Sequence, residues 1–315
     1  MQISIVILSY NQFEETTKPC LQSLAEDPDF SQWEILIVDN ASDAKTRTCL
    51  ESAKRIYPSV RFILNEKNVG VAAGNNIGIA ASTGDVVILL NSDTICPEGM
   101  IARLTAHCDQ SLSPAMVGPV TNAAGNEQGI CTTASDVAGK IQQGLRYANS
   151  GSAESLTAYR LDFFCVAITR QALDKIGPLD ERFGRGYYED FDYSLRAKRA
   201  GLRIVIAEDA FIYHRGSASF SKMPDDVRTL LKRNKQLIRE KHGANVLFPH
   251  AREGNISVLA QYAKKRFHGE EVPEYRVANR IQRAINDQPK GWFKRWGYMR
   301  RVHALARQFG MENNQ

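Results

Sequence analysis

The 315-residue chain has little of what would place it outside ordinary globular proteins. Its six cysteines (Cys20, Cys49, Cys96, Cys108, Cys131, Cys165) include no C-x-x-C pair and are too sparse for a disulfide scaffold, which points to a reducing compartment. No apolar run approaches the roughly 20 residues that cross a bilayer; Val86 to Leu90 is one of the short runs present. The stretch Ile3 to Leu8 has no basic residue before it and stops at Ser9, too short for a signal h-region with a cleavage site. It is expected to be a buried strand in a protein made and kept in the cytoplasm. Neither G-x-G-x-x-G nor G-K-[ST] occurs, so a dinucleotide fingerprint and a P-loop have no support.

What is present is a composition that folds: 43% hydrophobic and 24% charged residues. The net charge of +5 hides an asymmetry. Residues 1–215 hold 20 Lys+Arg against 26 Asp+Glu (−6), and residues 216–315 hold 20 against 9 (+11). A mildly acidic body with a basic tail assigns the two parts different jobs.

In the body, short β-branched runs alternate with helix-period segments: strands at 3–9, 34–39, 60–64, 86–90 and 116–120, with helices near 14–25, 43–57 and 70–82 between them. Pro97 sits where the first turn of a further helix tolerates it. Apolar strands alternating with helices predict an α/β, doubly wound, mostly parallel sheet whose ligands sit beyond the carboxyl ends of the strands. The polar residues are there: Ser9-Tyr10-Asn11, Asp39-Asn40-Ala41-Ser42 and Asn91-Ser92-Asp93-Thr94. Each cluster alone is ordinary turn and cap chemistry; together they describe a binding crevice. Gly70, Gly74 and Gly78 recur every four residues on one side of a helix, allowing close approach of either a ligand or the sheet.

Asp93 ends a buried strand with a carboxylate at the crevice, and Mg²⁺ or Mn²⁺ on a diphosphate needs only one or two such groups. Glu189, Asp190 and Asp192 open a helix that Gly201 stops. Acids there complement the helix dipole, yet three among four residues, flanked by aromatics, exceed that need. A strand at 203–207 then leads to His214, a structural or metal-ligating residue on sequence grounds.

These segments, in this order, resemble the family 2 glycosyltransferases of GT-A fold, closest in style to their bacterial rhamnosyltransferase-like branch. The carriers are SIVILSYN at 4–11, LIVDNAS at 36–42, N-x-G-x-A-x-G-N-N-x-G at 68–78, GDVVILLNSDT at 84–94, IGPLDERF at 176–183, YYEDFDYSLRAKRAG at 187–201 and IYH at 212–214. The resemblance implies a catalytic domain at 1–220, with a nucleotide-sugar half (1–120) and an acceptor half (121–220); beyond it the helical pattern and basic charge predict a helical basic extension at 221–315. It implies donor binding by Ser9, Tyr10, Asn11, Asp39, Asn68, Gly74, Asn76, Asn91, Ser92 and Asp93. It makes Asp93 and His214 holders of a divalent cation (Mg or Mn), with Asn91 in place of the first acid of D-x-D. Asp190 matches the catalytic base, and Glu189 and Asp192 are expected to orient it or the acceptor.

The implied reaction is inverting transfer from a nucleotide-diphosphate sugar, dTDP-rhamnose or a UDP-hexose, to a hydroxyl of a glycan or lipid-linked acceptor in bacterial surface polysaccharide synthesis. No Q-x-x-R-W signature of processive synthases occurs, so one or a few sugars are expected. Residues 121–159 have little apolar period and read as a lid or a connection with a helix near 138–148. In the tail, Trp292, Trp296, Met299, Val302, Ala306 and Phe309 fall largely on one helix side, and Lys290, Lys294, Arg300, Arg301 and Arg307 mostly on the other. That pattern reads as a helix lying in an anionic membrane interface or packed back on the body; no nucleic-acid module accompanies it. Two other classes compete: a silent glycosyltransferase-like protein that binds nucleotide sugar or glycan, and a nucleotidyltransferase. The second should carry a Gly-rich basic loop after the first strand, where SYNQFEE is acidic and lacks glycine.

Overall fold

A computed structural model describes residues 1–108, 114–216 and 224–311. The first half alternates as its hydrophobic period requires: β1 (Ile3–Ser9), α1 (Thr17–Ala25), β2 (Glu34–Asp39), α2 (Ala44–Ile56), β3 (Arg61–Leu64), α3 (Val71–Ala81) and β4 (Val86–Asn91). A short β5 (Thr94–Ile95) follows, then α4 (Met100–Ala106), which starts after Pro97 rather than over it, and β6 (Pro114–Val120). Next come α5 (Val137–Ala148), β7 (Ser155–Thr157), β8 (Cys165–Thr169), α6 (Arg170–Ile176), α7 (Glu189–Arg199), β9 (Arg203–Phe211) and β10 (Tyr213–His214). The chain continues as α8 (Pro224–His242), α9 (Ala251–Phe267), α10 (Glu274–Asn286) and α11 (Trp292–Arg307). The expected boundary at 220/221 lies outside the described residues.

The main sheet has the order β3-β2-β1-β4-β8-β6-β9-β7. Parallel pairing joins β1 to β2 and β4, β2 to β3, and β6 to β9. Two strands run the other way: β8 between β4 and β6, and β7 at the edge beside β9. Side chains alternate across the pleat. Ile5, Ile7, Ile35, Ile37, Ile88 and Leu90 pack with α1 and α2 on one face; Val6, Leu36, Val38, Val87 and Leu89 pack with α3, α6 and α7 on the other. This is the GT-A fold.

Two details position the site. Gly74 and Gly78 let α3 sit directly on β1, since a Cβ on either would stand 2.4 Å from Leu8 Cδ1 or 2.1 Å from Val6 Cγ1. The glycine repeat therefore serves sheet packing along most of its length. In addition, β5 and β10 form a separate antiparallel ladder, Tyr213 opposite Ile95 and His214 opposite Thr94. It carries the end of β9 back to the polar end of β4.

The last helices close on the body. Gln261 of α9 donates to Thr157 O (2.9 Å) and accepts from Thr157 N (2.8 Å), covering the open edge of β7. Arg280 of α10 is buried on Glu208 of β9, whose carboxylate also receives the Tyr147 and Tyr262 hydroxyls. The single apolar face expected on α11 is divided: Val302, Ala306 and Phe309 are buried among α9 and α10, while Trp292 and Trp296 are exposed. No described helix is long and apolar enough to cross a membrane.

Candidate active site

A cavity of about 1390 Å³ opens at the carboxyl ends of β1, β2 and β4. That exceeds the roughly 300–1,000 Å³ of a typical small-molecule site and leaves room for two substrates. At one end stand Tyr10, Asn40, Asn68, Val69, Gly70 and Asn75. Asn40 organises this wall: its Nδ2 donates to Asn68 Oδ1 (3.0 Å) and Gly70 O (3.1 Å), and its Oδ1 accepts from Val69 N (3.0 Å).

Asn91, Ser92, Asp93 and His214 line the middle. The β5–β10 ladder places His214 Nε2 3.4 Å from Asp93 Oδ1. Asn122 clamps the His214 backbone through both its amide atoms, each at 2.9 Å, and Phe164 stacks on the ring at 5.1 Å. The Ala123 carbonyl, which can only accept, lies 2.9 Å from Nδ1, so that nitrogen carries a proton and Nε2 faces Asp93. Burial pushes the His214 pKa down, but the Asp93 carboxylate outweighs it and the net shift is upward. No group of three or more His, Cys, Asp or Glu able to hold a metal exists among the described residues. Asp93 and His214 are two donors, a set that fits a divalent ion completing its shell with phosphate oxygens and water.

Asp190, in the first turn of α7, lines the same cavity. Its Oδ1 accepts from Phe191 N (2.6 Å), and its Oδ2 lies 3.8 Å from Arg160. Burial and nearby Asp162 raise its pKa, and the Arg160 guanidinium restrains the rise. Glu189 beside it is also buried, is raised by burial and by the Asp190 charge, and leaves Oε2 without a partner.

Other candidates lie beneath the rim. The Ser9 hydroxyl is buried on Thr17 (2.8 Å), and Asn11 ties to Ser42 and Asp43. Asp39 is fully buried, accepting from Ser42 N at 3.2 and 3.3 Å with Arg47 3.5 Å away. Gly74 abuts Leu8, and Asn76 is bonded to Leu179 and Glu181. Asp192 is turned away from the cavity, holding Arg196 (2.9 Å), Lys241 (2.8 Å) and His242 (2.6 Å), which anchors α7 to the end of α8.

Sequence reasoning missed several residues that the fold brings here. Arg160 bridges Asp162 and Asp190, and Gly125 N donates to Asp162 at 3.0 Å. They belong to the irregular start of β8, whose one sequence signal is a pair of charges before an apolar run. Asn234 of α8 is fully buried and donates to the carbonyls of Phe183 (2.9 Å), Gly186 (2.9 Å) and Tyr187 (3.0 Å). It braces the loop before Asp190, where Tyr187 and Tyr188 hold left-handed backbone at φ 68° and 75°. Such strain costs about 1–3 kcal/mol per residue and persists only where surroundings impose it.

Against known proteins, the model of the family described as "Glycosyl transferase family 2" matches residues 4–176. The uncharacterized glycosyltransferase YfnE of Bacillus subtilis is 22% identical over 269 residues, 72% of this chain and 68% of that protein. The mannosyltransferase of Pyrobaculum calidifontis, solved with GDP-Man and Mn²⁺, superposes with a TM-score of 0.55 at 13% identity over 99% of this chain and 88% of that one. GalNAc-T7, solved with UDP, GalNAc and Mn²⁺, gives 0.57 at 17% identity over 76% of this chain and 48% of that one, so the match spans about half its length. At these identities the structural likeness speaks for the fold.

Proposed function

The chain belongs to glycosyl transferase family 2, and on that premise we propose that it is an inverting, metal-dependent glycosyltransferase acting from the cavity between Tyr10 and Asp190. The donor is a nucleotide-diphosphate sugar, dTDP-rhamnose or a UDP-hexose, as the rhamnosyltransferase-like motif style suggests. The acceptor is a hydroxyl of a glycan or lipid-linked glycan of bacterial surface polysaccharide, extended by one or a few sugars. The observation that carries this reading is that Asp190 and the Asp93–His214 pair line one cavity with the volume for two substrates. Residues 1–120 supply the donor half, 121–220 the acceptor half and 221–315 the supporting extension. Six free cysteines accord with a cytoplasmic site of action, peripheral to the membrane.

The acceptor hydroxyl is a poor nucleophile until its proton leaves. Asp190 takes that proton as the oxygen bonds to the anomeric carbon, and the bond from that carbon to the diphosphate oxygen breaks with its electron pair on the nucleotide. Attack from the face opposite the leaving group inverts the centre in one displacement. Desolvation makes Asp190 a stronger base than an exposed carboxylate, and Arg160 keeps it ionised. Asp93 and His214 would hold a Mg²⁺ or Mn²⁺ ion, which supplies positive charge for the departing diphosphate. Asn40, Asn68 and Gly70 wall the donor.

Asp190→Asn tests this. Nucleoside diphosphates with Mn²⁺ should raise its melting temperature as they do for wild type, because binding to the folded state alone stabilises it. Transfer should fall by roughly 10²–10⁴-fold. Equal transfer by Asp190→Asn and wild type removes Asp190 as the base, and no response of either protein to any nucleotide leaves a glycan-binding role.

A further inference from the structure

The first two turns of α11 present Trp292, Phe293 and Trp296 to solvent, 70%, 81% and 57% exposed. The chain's third tryptophan, Trp33, is buried. The rest of the helix has its partners, since Tyr298, Val302 and Ala306 are buried against α9 and α10. Trp292 and Phe293 meet edge to face at 4.7 Å, and Trp292 and Trp296 flank a shallow groove of about 410 Å³ with Ile285 and Met299. Solvent exposure of so many large aromatic side chains in five residues is unfavourable for a free surface.

The charge around them has one sign. Lys290, Lys294, Arg295, Arg300, Arg301 and Arg307 lie between 290 and 307 with no acidic residue among them. From the helices packed alongside, Glu253 is taken by Arg301 (3.1 Å) and Asp287 by Arg283 (2.9 Å). Arg300 stacks on Trp296 at 5.2 Å, and Lys290, Lys294 and Arg295 have no ion pair among the described residues.

We propose that Trp292, Phe293 and Trp296 form a wedge that enters the headgroup region of an anionic lipid bilayer, with Lys290, Lys294 and Arg295 on the lipid phosphates. Tryptophan favours that boundary because its ring is apolar and its N–H finds a partner there. Each nearby Lys or Arg strengthens attraction to an anionic surface, and salt screens it. Two turns rooted in the α9–α10 pair can lie in the interface and cannot span it. This names the partner behind the peripheral placement above and does not depend on the transfer reaction.

The full chain would be sedimented with phosphatidylcholine vesicles, with and without phosphatidylglycerol, while tryptophan emission is followed. Wild type should bind the anionic vesicles, release with salt, and shift its emission to the blue, a shift that reports α11 because Trp33 is already buried. The variant Trp292→Ser/Phe293→Ser/Trp296→Ser should lose about 10-fold or more in binding at unchanged melting temperature. Lys294→Glu/Arg295→Glu should lose the preference for phosphatidylglycerol while keeping the tryptophans. Failure of wild type to bind anionic vesicles, or equal binding by the aromatic variant, overturns the proposal. So does a wild-type dimer in light scattering that the aromatic variant abolishes, which would give the patch to a second copy of this chain.

Discussion

Glu189 and Asp190 are neighbours in sequence in unlike surroundings, and the difference favours Asp190 as the base proposed above. Both are raised by burial, but only Asp190 has a guanidinium, that of Arg160, beside it. Glu189 is held neutral by the fold, so the stability it contributes is fully present below the ordinary glutamate range and is lost as pH rises through its elevated value. Glu189→Gln stays neutral throughout. The melting temperature of wild type should therefore fall more steeply than that of Glu189→Gln from about pH 5 to about pH 9, read by thermal denaturation at each pH; parallel curves would show that Glu189 is not held neutral. The acids were legible in sequence because three of them crowd one helix start between aromatics. Arg160, Asp162 and Asn234 were not, since each meets Asp190 or its loop through contacts across the fold, and nothing local marks them.

At the scale of elements, the strands and helices of the first half follow from period alone, yet β8 does not. Its apolar run Cys165–Thr169 is short and continuous, which suits a buried strand or a helix segment alike. Pairing with β4 and β6 settles it as a strand that reverses the sheet direction. The glycine helix α3 divides by position: Gly74 and Gly78 serve β1, whereas Gly70, at φ 91°, touches the carbonyl of Gly184 in the loop leading to α7. A Cβ at Gly70 would stand 2.2 Å from Gly184 O. Gly70→Ala should lose the about 1–3 kcal/mol of left-handed strain plus the clash, measured by urea unfolding. Gly99→Ala, at φ 74° with nothing within 4 Å, should lose only the strain; equal losses would mean that the contact between the Asn40–Gly70 wall and the Asp190 loop is slack.

For the whole molecule, the basic extension and the acidic body meet through buried charge. Arg280 and Glu208 pair among the Tyr147 and Tyr262 hydroxyls, and Arg276 reaches the carbonyls of Ala148 (2.8 Å) and Ser152 (3.2 Å). Removing one partner of a buried pair costs about 3–5 kcal/mol because the other charge is left uncompensated. Arg280→Met should lower stability by about that amount in a single unfolding transition of body and extension, followed by circular dichroism in denaturant. Two transitions, one of them unshifted, would mean that the parts unfold separately. By itself the sequence determined the strand–helix alternation, the polar strand ends and the order of the family motifs, because hydrophobic period and turn chemistry act over a few residues. The tertiary structure alone decided that β8 enters the sheet reversed, that β10 carries His214 to Asp93, that Asn234 of the extension braces the Asp190 loop, and that the apolar side of α11 is half spent in packing. Each of these is a pairing between residues far apart in the chain, and only a folded core brings their surfaces into contact.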